Sequence, residues 1–423
     1  RRARPVNLLA IPLANPASAS LTFPPSGIAY RENAESNALW RWIGAHAPDL
    51  VLVAGDDAGL AAALSANVVA DMGRIAARAW NANDDLARLG PLPKSAARLE
   101  LDRRRARSPR QLAEALGKVY GRDFEQPWYI GAIALNARSA IGDVADVRRL
   151  AEPYVDGTKD PLARVNALVM AGQIVFTDLA RRTGDPRYVA AVRRVADLGF
   201  DADGNPRESM PYHDQYSDSV FMGTTIVAQA GSLTADPKYF DMADRHLRFM
   251  QQLVLRKDGL YRHRAGLDAA WGRGNGFAAL GLALTLSEIP GDHPTHAHVL
   301  ESYRSLMKAL LPYQNRDGLW RNVVDHPGTY AEFSGTAMIG FALRRGLDRG
   351  WIKGKDYARA VDAAWLAVNS RSSNSGSFID VCESTALMKS DDDYLKRAAL
   401  LGNDPRGGAM ALLFATELYS RAQ

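Results

Sequence analysis

The chain has 423 residues, 47% hydrophobic and 23% charged, with 52 Lys and Arg against 47 Asp and Glu for a net charge of +5. That composition excludes a mainly disordered chain, and its mixed, mildly basic charge lacks the footprint of a nucleic-acid binder while tolerating an acidic small substrate. The one cysteine, Cys382, excludes an internal disulfide and a Cys-rich metal site, and no apolar run reaches the eighteen or so residues of a membrane helix.

The chain begins at Arg1, consistent with a removed leader, and shows no signal peptide. Cytoplasm and periplasm both stay open, as does the oligomeric state. Val6 to Pro12 (VNLLAIP) and Asp49 to Ala54 (DLVLVA) are short apolar runs bounded by turn residues, which predicts two buried strands. Glu35 to His46 between them is helical, so residues 1–107 are expected to form a small α/β domain. Ala-rich helical sequence follows to Leu89, and Pro91 and Pro93 end it. Arg103, Arg104, Arg105 and Arg107 make a basic run, expected to be a solvated face or linker. Ser108-Pro109-Arg110-Gln111 then starts a helix with a capping box, and the domain boundary is placed there.

From Ser108 onward the chain repeats. Asp156-Gly157, Asp203-Gly204, Asp258-Gly259 and Asp317-Gly318 recur 47, 55 and 59 residues apart, and Ser375-Gly376 continues the series. Repeats of that length are stacked two-helix units. Thr183-Gly184-Asp185-Pro186-Arg187-Tyr188 and Thr234-Ala235-Asp236-Pro237-Lys238-Tyr239 are the same inter-helix turn, with Pro in the first turn of the second helix and Tyr as its anchor. The glycine of each Asp-Gly pair is expected to end that second helix. Units begin near Trp128, Val165, Asp218, Gly274 and Ser334. A sixth would pair 108–120 with 408–422, which closes a ring. Residues 108–423 are therefore predicted to be mainly α, an (α/α)6 toroid; an open solenoid would instead have polar capping units.

Residues just before each inner helix then share one rim. Those segments hold Asn166; Tyr212-His213-Asp214 with Asp218; Trp271 to Gly276; Tyr330 to Ser334; and Asp380 to Ser384. An acid, an Arg, amides and aromatics at one mouth make a sugar pocket: rings for pyranose faces, forked donors for a carboxylate, an acid for protonation.

The strings DSVFM (218–222), DGLYRH (258–263), WGRGNGF (271–277), QNRDGLW (314–320) and YAEFSGTAM (330–338) resemble, in order, the unsaturated rhamnogalacturonyl and glucuronyl hydrolases of glycoside hydrolase families 105 and 88, the six-hairpin glycosidases. The resemblance spans about Asp160 to Glu417. It implies an (α/α)6 barrel in a bacterial enzyme of polysaccharide degradation. Such an enzyme removes a terminal unsaturated uronic acid from lyase-generated oligosaccharides by hydrating the C4=C5 enol ether. It implies Asp218 as general acid, His263 as a substrate contact, Arg273 as partner of the uronate carboxylate, and Asn275, Trp271, Glu332, Ser334 and Tyr330 around the sugar. No cofactor or metal is implied. The partner is an oligosaccharide ending in a uronic acid, with no nucleic acid and no membrane.

Two departures stand out. Phe277 occupies a place where the family usually has Trp, which removes a polar N–H from a stacking surface. Asn166 occupies the start of an earlier inner helix where many members carry a second Asp, and Asn cannot titrate. Asp214 or His213 are candidates to substitute for it. The plain alternative for Asp218 is a helix N-cap; for Arg273 and Asn275 it is turn packing, for Trp271 the core, for Glu332 and Ser334 the start of a helix, and for His263 a hydrogen-bonded histidine in an inter-helix turn. His293, His296 and His298 lack an acidic partner at ligand spacing and are expected to be surface histidines. Residues 1–107 faintly resemble the middle of a zinc metallocarboxypeptidase, but His46 is their one histidine and the His-x-x-Glu zinc pair is absent. Two other readings of the pocket are a uronidase acting on saturated sugars and a non-catalytic uronate-binding protein.

Overall fold

The computed structural model describes residues 7–81, 89, 91–385 and 388–420. The N-terminal segment contains α1 (Ala34–His46), β1 (Leu50–Val53), α2 (Leu60–Ala66), β2 (Ala76–Ala79) and α3 (Ala96–Ala106). β1 and β2 pair in parallel, Leu50 opposite Ala76 and Val53 opposite Ala79. Their core joins Trp40, Ile43, Leu64, Ile75 and Leu101 to Ile379 from far along the chain. The strand expected at Val6 to Pro12 is not there: residues 7–12 carry no regular structure, and Val6 lies outside the described residues. An apolar run becomes a strand only where an edge is available to pair with, and Leu8, Leu9 and Ile11 stay exposed. The helix expected up to Leu89 ends at Ala66, giving way to β2, and residues 82–88 lie outside the described residues.

The basic run is a second correction. Arg104 and Arg107 are buried. Arg104 donates to Asp71 O and to Glu100, and Arg107 donates to Asn369 O, Asn369 Oδ1 and Ser372 O. Helical phase explains it: Ala97, Leu101 and Arg104 share the inward face of α3, while Arg103 and Arg105 point outward.

The helices that follow alternate outer and inner. They are α4 (Pro109–Gly117), α5 (Tyr129–Ala140), α6 (Val144–Ala151), α7 (Ala167–Gly172), α8 (Ile174–Thr183), α9 (Pro186–Ala196), α10 (Ser219–Met222), α11 (Thr224–Thr234), α12 (Lys238–Val254), α13 (Gly272–Glu288) and α14 (Pro294–Leu310). A two-residue pairing of β3 (Trp320–Arg321) with β4 (Ala331–Glu332) leads into α15 (Phe333–Asp348) and α16 (Lys355–Ser370). β5 (Ser377–Cys382), α17 (Asp391–Leu395) and β6 (Ala399–Asn403) precede α18 (Pro405–Ser420).

The inner ring runs α5, α7 with α8, α10 with α11, α13, α15 and α18, and α18 packs back on α5 and on α4. The two ends of the repeat thus pair and the toroid closes. Ser108 opens α4 with the reciprocal capping box, bonding Gln111 N while Gln111 bonds back to Ser108 N. The Asp-Pro turns hold as expected: Asp185 caps α9, and Tyr188 and Tyr239 are buried anchors.

The Asp-Gly pairs do something else. Gly204, Gly259 and Gly376 have φ of 82°, 85° and 85° and sit several residues beyond their helices. Each closes a small antiparallel turn, between the bridged residues Phe200 and Pro206, Leu255 and Tyr261, and Ser372 and Phe378. Positive φ is needed for that turn rather than for a helix cap.

At the second inner-helix break, residue 223 has to be glycine because of His246: a Cβ there would lie 2.2 Å from its Nε2. His246 is fully buried, accepts from Met210 N at Nδ1 (3.2 Å) and places Nε2 3.1 Å from Ser219 O. Burial holds its pKa down to about 4. A depressed histidine pKa means stability is full above the unfolded value, about 6.5, and is lost as pH falls toward 4; by pH 5 the loss is about 2 kcal/mol. Urea unfolding at pH 7 and pH 5 is expected to show that loss in the native chain and a shallower pH slope in His246→Asn. No helix among the described residues is long and apolar enough to cross a membrane.

Candidate active site

The N-terminal ends of the inner helices share one rim, and Asp218 heads α10 there. It makes no side-chain cap bond, so the plain N-cap reading does not describe it. Its Oδ1 is buried without a hydrogen-bond partner, while the side chain as a whole is 17% exposed. His263 Nε2 lies 3.4 Å from it, itself buried and otherwise unpartnered. His263 stacks on Tyr216, with centroids 4.7 Å apart and 6° between planes. Trp271 and Tyr394 meet it edge-on at 4.5 and 5.4 Å. Its Nδ1 lies 2.6 Å from the Tyr394 hydroxyl. Tyr129 of α5 also faces Asp218; burial, with Asp218 among the nearby charges, pushes its pKa up to about 12.

Several residues expected around the sugar are buried and hydrogen-bonded within the protein. Arg273 is 2% exposed and donates to Cys382 O (2.7 Å), Glu383 O (2.9 Å) and Ser334 Oγ (3.3 Å), with its guanidinium over Trp271. Burial opposes its charge, but Cys382, Glu332, Tyr129 and Tyr330 outweigh that and hold its pKa raised. A guanidinium so engaged does not reach the mouth. Asn275, expected at the mouth, is fully buried and clamps the backbone: it donates to Tyr261 O and Trp271 O and accepts from Tyr261 N. Glu332 caps α15, its carboxylate accepting from Ser334 N, Ser334 Oγ, Gly335 N and Cys382 N. Neither Glu332 nor Ser334 is accessible to a hydroxyl.

The aromatic rings are redistributed too. Trp271 and Phe277 are buried, Phe277 against Tyr129 and Phe221. Tyr330 is covered by Tyr30, whose ring stacks on it at 4.6 Å. Rings open to solvent at this rim are Trp128 (39% exposed) and Tyr212 (44%). A cleft of about 430 Å³ is lined by Trp128, Tyr154, Lys159, Arg164 and Asn166 among others; Asp218 does not line it. Asn166 caps α7 through Oδ1, which accepts from Val169 N at 3.0 Å. α7 packs against α10, so Asn166 and Asp218 head neighbouring elements. Asp214 is exposed on a loop where Tyr212, Asp214 and Gln215 all take left-handed backbone, and His213 is half-buried against Phe249. His213 accepts from Gln215 N, and burial holds its pKa down. Of the three histidines of α14's start, His293 caps the helix and His298 bonds Asp244 on the outer wall.

What covers the rim comes from far along the chain. The segment bearing β5, α17 and β6 lies over the starts of α13 and α15, where Asp391 accepts from Asp268 N and Ala269 N, and Tyr394 O accepts from Asn322. A bulge in β5 sets Asp380 at φ 66°, and its buried carboxylate accepts from Arg41 (2.8 Å), Tyr30 OH (3.1 Å) and Arg371 (3.2 Å). Tyr394, Tyr216 and Arg41 escaped the sequence reading. Tyr216 lies in the same HDQYSD string as His213 and was within reach; Tyr394 stands 131 positions from its partner His263, and no local pattern connects them.

Residues 152–422 match the family model described as Glycosyl Hydrolase Family 88. The chain is 27% identical over 226 residues to an unsaturated 3S-rhamnoglycuronyl hydrolase of Alteromonas sp. (strain LOR), covering 47% of this chain and 55% of that one. It is 24% identical over 277 residues to the unsaturated rhamnogalacturonyl hydrolase YesR of Bacillus subtilis (strain 168), covering 61% and 78%. With a second unsaturated 3S-rhamnoglycuronyl hydrolase the match covers 45% of the relative, so the chain spans about half the length of two of these curated relatives. In structure it superimposes with a TM-score of 0.62 on a possible member of the GH105 family from Klebsiella pneumoniae, at 19% identity, covering 82% of this chain and 99% of that one.

Proposed function

The chain belongs to Glycosyl Hydrolase Family 88, and we propose that it removes a terminal Δ4,5-unsaturated uronic acid from lyase-generated oligosaccharides, with Asp218 as the proton donor. The observation that carries this reading is the Asp218 carboxyl itself. One oxygen is buried against His263 Nε2, and the side chain keeps partial exposure at the rim. The names of the relatives, unsaturated rhamnoglycuronyl and rhamnogalacturonyl hydrolases, support the same substrate class.

The chemistry runs as addition of water across the enol ether. Asp218, protonated, gives its proton to C4, and positive charge develops at C5 and the ring oxygen. Water adds at C5 and loses one proton to the Asp218 carboxylate, which regenerates the acid, while the other stays in the new hydroxyl. The resulting C5 hemiketal opens the ring to a ketone, and the hemiacetal left at C1 then expels the neighbouring sugar as its alcohol. Asn166 cannot titrate and its Oδ1 is committed to Val169 N, so Asp218 serves as acid first and base second. Arg273, Asn275 and Glu332 act one layer out, holding Trp271 and the start of α15 so that His263 keeps its place.

Asn166 also favours a second reading, recognition of a uronate without turnover. A lyase-generated Δ4,5-uronyl disaccharide separates the two. The proposed activity erases its ultraviolet absorbance and releases the neighbouring sugar, whereas a binding protein leaves the absorbance intact while retaining affinity. Release of intact glucuronate from a saturated aryl glucuronide would contradict the specificity for an unsaturated sugar.

A further inference from the structure

The distances around His263 carry a second consequence, which rests on Asp218 being the proton donor. Nε2 and the Asp218 Oδ1 are both buried, 3.4 Å apart, and have no other partner. A catalytic contact of that kind is often long before substrate binds and tightens in the complex. On the far side of the ring the Tyr394 hydroxyl sits 2.6 Å from Nδ1. An imidazole that bonds through both nitrogens has its tautomer set by what each one meets. A carboxylate oxygen only accepts, so Nε2 facing Asp218 calls for an N–H there, and Nδ1 is then a lone pair in need of a donor. The Tyr394 phenol supplies it: burial, then the nearby Asp218 charge, hold its proton on well above the ordinary tyrosine pKa.

We propose that Tyr394 is a positioning residue that fixes His263 in its Nε2–H tautomer and so aims that N–H at Asp218 Oδ1. When Asp218 delivers its proton from the other oxygen, the new carboxylate meets a donor already in place. The bond strengthens as charge appears on Asp218, which stabilises the transition state more than the ground state. α17 thereby becomes part of the machinery, and its hold on the rim has a purpose. Asp391 fixes the backbone at Asp268 and Ala269, and Asn322 fixes the backbone of Tyr394 itself. The stack of Tyr216 and the edge of Trp271 leave the imidazole no other plane to rotate into. Titratable or charged groups around this cluster include Tyr129 on α5 with Arg273, Asp404 and Arg406 near it, Tyr216 and Asp214 in the segment before α10, and Arg264 and Asp391 near Tyr394.

The test joins a spectroscopic and a kinetic arm. Nitrogen-15 NMR of the imidazole in the wild-type chain is expected to show His263 as the Nε2–H tautomer, a result that needs neither turnover nor a variant. Tyr394→Phe is expected to lower kcat roughly ten- to a hundredfold with KM little changed, as for an interaction that strengthens only in the transition state. Without the phenol the Nδ1–H tautomer becomes available, and a bare Nε2 then favours the protonated carboxyl of Asp218. The high-pH limb of the kcat profile therefore moves upward. A wild-type Nδ1–H tautomer, or a Tyr394→Phe variant with an unmoved pH profile and unchanged kcat, overturns the proposal. Failure of the underlying assignment would look different: Asp218→Asn would retain turnover whatever the His263 tautomer.

Discussion

Asp218→Asn is expected to lower kcat on a Δ4,5-uronyl disaccharide about a thousandfold, within the range that a positioned acid contributes. KM should stay within a few-fold, because the substitution keeps the size and polarity of the side chain. The fold is expected to survive. Asp218 makes no side-chain cap to α10, and the carbonyl oxygen of an Asn at this position can still face His263 Nε2 as Oδ1 does. The measurement is the rate of ultraviolet absorbance loss, run beside a thermal melt of both proteins. A variant with wild-type rate would remove Asp218 from the reaction, and a variant that fails to melt cooperatively would move it to the scaffold.

The largest effect on stability is expected at the other end of the rim. Asp380 is 4% exposed and stands between Arg41 and Arg371, with Tyr30 adding a third bond. Asp380→Ala leaves the Arg41 guanidinium buried and unpaired, a change that costs about 3–5 kcal/mol. Urea unfolding reads it. The double variant Asp380→Ala with Arg41→Met is expected to recover part of the loss, since it removes the stranded charge as well. An equal or larger loss in the double variant would mean that the pair's packing, not its charge, carries the energy. The same contact ties α1 to the rim, where Tyr30 covers Tyr330. Looser substrate binding in Asp380→Ala would be the functional trace of that tie.

How far the sequence could be read follows from where each piece of information resides. The toroid was legible because its turns are written locally: Asp185-Pro186 and Asp236-Pro237 open outer helices, and Ser108 with Gln111 opens α4. Ring closure followed from the unpaired helices at the two ends of the repeat, and α18 does pack on α4 and α5. A run of arginines reads as solvated unless helical phase is applied; Arg104 lies on the inward face of α3, and Arg107, just past its end, is buried by Asn369 and Ser372. The apolar run at 7–12 was misread because composition does not say whether a partner edge exists. At the rim, helix starts could be located but not their accessibility. Trp271, Tyr330 and Arg273 look like sugar contacts in the sequence. They are buried because Cys382, Tyr394 and Tyr30 cover them from far along the chain. The same distance hid Tyr394.

The measurement that bears most directly on the account is a crystal structure of Asp218→Asn soaked with a Δ4,5-uronyl disaccharide. The account predicts the unsaturated ring at the head of α10, with C4 about 3–3.5 Å from the side chain at position 218, the separation a near-attack geometry requires. A sugar seated wholly in the cleft by Trp128 and Asn166, with C4 out of reach of position 218, would contradict it.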